Sequence, residues 1–217
     1  MGTPDPEEVP DPRGSPPCPP PSPGRPPVVR RLLLVRHAPT RATRAAAFPL
    51  DEPLDRRGHS QAGRLAALVP AGSEILSSPA LRCRQTAEAA GLDPHPDPAL
   101  AECDFGTWAG RSLAEVDAAD PQATRDWMTD PEARPHGGES LLAFSGRIAR
   151  WLDRQSLEDG RAFAITHGGV VKAALAHALA APLTAFWRLD ASPLGVTELH
   201  SHDGRWTVTR MNCAAPA

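Results

Sequence analysis

The sequence predicts an α/β fold: a three-layer sandwich with a mainly parallel central sheet and helices on both faces. Three observations carry that expectation. Apolar, strand-like runs such as "LLLV" at 32–35 show little polar alternation, as strands covered on both faces require. Each run is followed by a stretch whose apolar residues recur at helical spacing. Strand followed by helix, repeated along the chain, lays successive strands parallel through crossovers.

Residues 1–27 stand outside this pattern. "SPPCPPPSPGRPP" lacks amide donors at its prolines and has almost nothing to bury, so a disordered or polyproline-like tail is expected. The domain is therefore placed at 28–217. Residues 28–36 read as the first strand. Asp55 caps a helix over 56–69, where Ala62, Leu65, Ala66 and Val69 share one face. "EILS" is a short second strand. Ser78 and Pro79 are expected to open the next helix as N-cap and first residue, and Gly91 to close it. Ser112 and Glu115 have the spacing of a capping box. Residues 139–158 read as a long helix with Leu141, Phe144, Ile148, Trp151 and Leu152 on its buried side. "RAFAIT" at 161–166 is a third strand, followed by a helix over 168–181. Residues 195–212 form a hairpin turned at Asp203-Gly204. The segment between Leu92 and Pro135 is expected to cover the sheet as a lid. There is no internal repeat and no sign of a second domain.

The chain has 217 residues, enough for one domain with a sizeable core. Its net charge of −3 offers no basic excess to hold nucleic acid or an anionic membrane. No apolar run is long enough to span a bilayer. Asp5, Glu7, Glu8 and Asp11 stand where a secretory leader would be basic, and a cytoplasmic protein is expected. Cys18, Cys83, Cys103 and Cys213 are scattered and read as free thiols. No metal and no cofactor are expected, because no His, Cys and carboxylate cluster has ligand spacing. The pattern gives no oligomeric state.

The first strand ends abruptly in Arg36 and His37, charges that a buried strand does not need. In open α/β sheets, ligands bind beyond the carboxyl ends of the strands. His167 occupies the equivalent place after 161–166, followed by Gly168 and Gly169. Arg82 lies early in the helix after the second strand. Taken singly, each has an ordinary use as a solvated strand end, a cap or a surface residue. Together, two arginines, two histidines and a helix N-terminus on one rim make an anion site. Glu102, in "LAECDFGTWAG", adds a carboxylate. The remaining histidines read as ordinary.

"LLLVRHAPT", "SSPALRCRQTA", "LAECDFGTWAG", "HGGES" and "ITHGG" occur in the order found in the histidine phosphatase (phosphoglycerate-mutase-like) superfamily, which the chain resembles from about Arg31 onward. The resemblance implies a phosphomonoesterase acting on a small phosphorylated metabolite. His37 would be the nucleophile; Arg36, Arg82 and His167 would hold the phosphate; Glu102 would protonate the leaving alcohol. Nearby arginines would keep His37 neutral, while burial beside Phe105 and Trp108 would favour a protonated Glu102. The sequence departs from the family at Ala38, where glycine is usual, at Pro39, where an acid is common, and at Thr43, where asparagine is frequent. The loop after the nucleophile carries Arg41 and Arg44 as further candidates for substrate contact. Two rival functions remain at this point: a phosphoglycerate-type mutase, and a catalytically weak phospho-ligand binding module. "LAECDFGTWAG" resembles the phosphatases, including the α-ribazole phosphatases, more than the mutases.

Overall fold

The computed structural model describes residues 28–214; the tail expected at 1–27 lies outside the described residues. Six strands form one sheet: β1 (Val29–Arg36), β2 (Glu74–Ser77), β3 (His95–Pro96), β4 (Gly160–Thr166), β5 (Val196–His202) and β6 (Arg205–Cys213). Their order is β3-β2-β4-β1-β5-β6. The first four run parallel, while β5 pairs antiparallel with both β1 and β6. The sheet is thus mainly parallel, with an antiparallel hairpin along one edge.

The pleat of β1 divides the core between two layers. Leu32 and Leu34 face α6 (Leu141–Gln155) and α7 (Gly168–Ala178), where Phe144, Ile148, Trp151, Leu152 and Leu175 are buried. Leu33 and Val35 face the opposite layer, against Leu65, Cys83 and Ala87. Successive side chains on a strand point to opposite faces, so an uninterrupted apolar run serves both layers.

The helices follow their capping residues, with two corrections. The stretch 56–69 is divided: α2 (Arg56–Ala62), capped by Asp55, gives way to a 3-10 segment, Gly63–Leu68. Tighter winding rotates later positions off the buried face. Ala62 and Leu65 remain buried, Ala66 is exposed and Val69 is half-buried. The second correction concerns α3 (Leu81–Ala89), which starts later than the Ser78-Pro79 pair suggested. Its N-cap, Ala80, has no side-chain hydrogen bond; instead Asp51, thirty residues earlier, accepts from the Leu81 amide at 2.7 Å. Gly91 does close this helix region, in the left-handed conformation at φ +67°. The hairpin turns at Asp203-Gly204 with φ of 49° and 78°, the two positive values of a type I′ turn.

Between β1 and β2 the chain forms a short helix, α1 (Arg41–Ala45). The segment expected as a lid carries α4 (Leu113–Ala119), which begins with the Ser112–Glu115 capping box, and α5 (Pro121–Thr129). An aromatic cluster of Phe48, Trp108, Phe105 and Trp127 packs it together. Among the described residues, no helix is long and apolar enough to cross a membrane.

Candidate active site

Parallel pairing of β1 with β4 sets Arg36 opposite Thr166, and the His37 amide extends the ladder to the Thr166 carbonyl at 2.8 Å. The next residue on each strand is therefore a histidine at the same height. The rings of His37 and His167 meet edge to face with centroids 5.3 Å apart. On the other side of β4, the Ser78 amide donates to the Ile165 carbonyl at 2.9 Å, placing Ser78 level with both. Arg82, in the first turn of α3, reaches across this row.

Arg82 ties the centre together with three donors. Its Nε donates to His37 Nε2 at 3.3 Å, its Nη2 to His167 Nδ1 at 3.1 Å, and its Nη1 to the Leu50 carbonyl at 2.9 Å. A guanidinium has donors only, so these contacts fix both imidazole tautomers. His37 carries its proton on Nδ1, donated to the Ala38 carbonyl at 2.8 Å, and leaves a lone pair on Nε2. His167 carries its proton on Nε2, donated to Ser78 Oγ at 2.7 Å. This contact explains why Ser78 does not cap α3.

Both histidines are held neutral. Burial, followed by the Arg82 charge, pushes His37 down to about 3 despite the opposing pull of the Ala38 carbonyl; Arg36 adds to the lowering. Burial and then Arg82 lower His167 well below its ordinary value. The unfolded chain protonates both near 6.5, whereas the fold resists, so below that pH the unfolded state binds more protons. Stability is therefore retained above pH 6.5 and lost as pH falls from there, towards 3 in the case of His37, with His167 acting in the same direction. Urea midpoints between pH 7.5 and pH 5 should fall on acidification, and His37→Asn should flatten that fall; a variant with an unchanged slope contradicts the assignment.

Arg36 and Arg82 have no carboxylate within ion-pair distance among the described residues, although Arg82 is only 4% exposed. Arg36 donates from Nη1 to the Ala191 carbonyl at 2.6 Å, and its buried Nε has no partner. Buried positive charge without an ion-pair partner is costly and calls for an anion. Among the described residues, no group of three or more His, Cys, Asp or Glu is arranged to hold a metal.

Glu102 closes one side of the centre. Its Oε2 accepts from the Gly169 amide at 3.2 Å and its Oε1 from the Cys103 amide at 3.1 Å. A Cβ at Gly169 would lie 2.2 Å from Oε1, so only glycine lets the first turn of α7 approach the carboxylate this closely. Phe105 shares the cleft with Glu102, whereas Trp108 belongs to the lid cluster with Phe48 and Val116. The cleft continues past Glu102 between Arg36, Lys172 and Asp190 and the aromatic rings of Trp127, Phe144, Phe186 and Trp187.

All five sequence-predicted residues thus meet at one rim: Arg36, His37, Arg82, Glu102 and His167. Arg41 and Arg44 do not line the cleft; Arg41 is exposed, and the Arg44 guanidinium is held by Asp55 at 2.5 Å. Thr43 completes a reciprocal cap with Thr40 at the start of α1, and so its hydroxyl is engaged away from the centre. The sequence reading missed Ser78 as a partner of His167, the Leu50 carbonyl, and Lys172. Lys172 was recoverable, since it lies three residues after Gly169 and so shares its helix face.

The family model of the histidine phosphatase superfamily (branch 1) matches residues 32–214. The chain is 32% identical over 195 residues to a bifunctional protein of Mycobacterium tuberculosis, covering 84% of this chain and 53% of that protein. It therefore spans about half the length of that relative. Glucosyl-3-phosphoglycerate phosphatase of Mycolicibacterium vanbaalenii is 32% identical over 172 residues, or 71% of this chain and 76% of that one. Among solved structures, the α-ribazole phosphatase of Shigella flexneri superposes with a TM-score of 0.74 at 27% identity, covering 86% of this chain and 98% of that one. With the motifs in order, the histidines paired at adjacent strand ends and this match across the described domain, the chain belongs to the histidine phosphatase superfamily, branch 1.

Proposed function

We propose that this chain is a phosphomonoesterase that hydrolyses a small phosphorylated metabolite through a phosphohistidine at His37. The observation that carries the reading is the convergence of two guanidiniums that have no ion-pair partner among the described residues on a neutral imidazole whose lone pair faces Arg82. Family membership and the phosphatase names of its relatives support it.

The steps follow from the tautomers. Substrate phosphate enters between Arg36 and Arg82, beside His167, and Arg82 redirects the hydrogen bond of its Nε–H from His37 to a phosphoryl oxygen. The freed lone pair on Nε2 attacks phosphorus. The ester P–O bond breaks, and the leaving oxygen takes a proton from Glu102. The ring now bears positive charge, which the Ala38 carbonyl stabilises through Nδ1–H. Glu102, ionised by the first step, then takes a proton from water. The water oxygen attacks phosphorus, the P–N bond breaks, and its electron pair returns to Nε2. Uncatalysed phosphate-monoester hydrolysis is slow enough to demand accelerations of up to ~10²¹-fold, so covalent catalysis and charge neutralisation must act together.

A generic aryl phosphate tests the activity directly. Turnover should survive exhaustive chelation, because Arg36 and Arg82 supply the positive charge that a metal would otherwise bring. Loss on chelation with rescue by one divalent ion contradicts this part of the reading. The Gly169 contact supplies a second expectation. Gly169→Ala should push Glu102 out of place and slow alkyl-ester turnover by ~10²-fold, the scale of an ångström-sized displacement. An activated aryl ester should suffer less. Equal rates for wild type and variant on the alkyl ester would remove Gly169 from any positioning role.

A further inference from the structure

Lys172 sits one turn into α7 and faces the cleft beyond Glu102. Its ammonium lies 4.4 Å from the ring centroid of Phe186 and 5.7 Å from that of Trp187. The aromatic faces attract the charge but accept no conventional hydrogen bond from it. Among the described residues Lys172 has neither a hydrogen bond nor an ion pair. Two carboxylates share the cleft, and both are engaged elsewhere. Glu102 accepts the Gly169 and Cys103 amides, while Asp190 Oδ2 accepts from Ser192 Oγ at 3.3 Å and from Asn212 Nδ2 at 3.4 Å. The ammonium therefore keeps three donors in a half-buried cleft that a substrate would close.

A neutral leaving group would seal those donors away from water unsatisfied, which costs affinity. A second dianion would meet one cation flanked by Glu102 and Asp190. A single negative charge matches best. We propose that the leaving alcohol of the natural substrate carries a carboxylate held by Lys172, with its carbon skeleton against the aromatic wall of Phe105, Trp127, Phe144 and Trp187. This rests on the phosphomonoesterase reading for the position of the phosphate. It assigns the far half of the cleft, which that reading leaves open.

Non-hydrolysable phosphonates test it without requiring turnover. Calorimetric affinities are measured for ω-carboxyalkyl phosphonates of one to three methylenes and for alkyl phosphonates of matched length. Wild type should bind at least one carboxylated member ~10-fold or more tighter than its uncharged match, the scale of a charge-assisted hydrogen bond. Lys172→Met should abolish that preference, and Lys172→Arg should retain most of it. Absence of a preference in wild type overturns the proposal, as does its survival in Lys172→Met or a failure of every phosphonate to bind. A preference in a protein that hydrolyses no ester would instead reject the phosphomonoesterase reading and leave the carboxylate site standing.

Discussion

His37→Ala should lower aryl-phosphate turnover by at least ~10⁴-fold while the protein stays folded, because the variant lacks the atom to which phosphorus must bond. The other imidazole cannot substitute. His167 Nδ1 is occupied by Arg82, and its Nε2 carries the proton given to Ser78. Removing the His37 ring also removes a buried group that the fold keeps unprotonated, so the thermal midpoint of the variant should fall less on acidification than that of wild type. The check is steady-state turnover alongside a melting curve on the same preparation. Substantial residual turnover in a folded His37→Ala protein would place the nucleophile elsewhere.

The second large effect belongs to Glu102, and its signature is selectivity rather than simple loss. An alkyl ester leaves as a poorly stabilised alkoxide and needs a proton from the enzyme. A nitrophenyl ester leaves as a stabilised phenolate and needs it little. General acid catalysis contributes typically ~10²–10⁴-fold, so Glu102→Gln should slow phosphorylation by about that factor with the alkyl ester and by far less with the aryl ester. Glutamine preserves the shape but has a single carbonyl oxygen, so it can accept only one of the two amides, Gly169 and Cys103, that the two carboxylate oxygens accept. Single-turnover measurements are required, since steady state can hide the step behind dephosphorylation. Equal slowing of both esters would reduce Glu102 to an organiser of the lid and make Asp104 the next acid to test.

The fold was legible where one interaction dominates. The run 32–35 is apolar at every position because β1 is covered on both faces, and the sequence displays that as missing alternation. The buried side of α6 was readable because Leu141, Phe144, Ile148, Trp151 and Leu152 follow the helical repeat over about three turns. The start of α3 was not, because Asp51 caps it across the fold while the nearby Ser78 serves His167. A local motif cannot reveal which of two distant partners takes a hydroxyl. The break of the helix over 56–69 at Gly63, and a strand as short as β3, are settled by packing rather than by periodicity.

The site divides the same way. Arg36, His37 and His167 were visible because charges that end buried strands have no packing role. Arg82 and Glu102 were joined to them through the resemblance and the strand-end rule. The Leu50 carbonyl gave no signal, since any residue supplies one. Lys172 drew no reading from the sequence, and its importance lies in what the fold does not place beside it.

Rapid quenching reads the covalent phosphohistidine intermediate without relying on turnover. Enzyme mixed with excess aryl phosphate is stopped in base within milliseconds and examined by intact mass and peptide mapping. One added phosphoryl group is expected on the peptide containing His37, stable in base, labile in acid and missing from His37→Ala. Burst-free turnover with no adduct at any time, or an adduct on another residue, would contradict it.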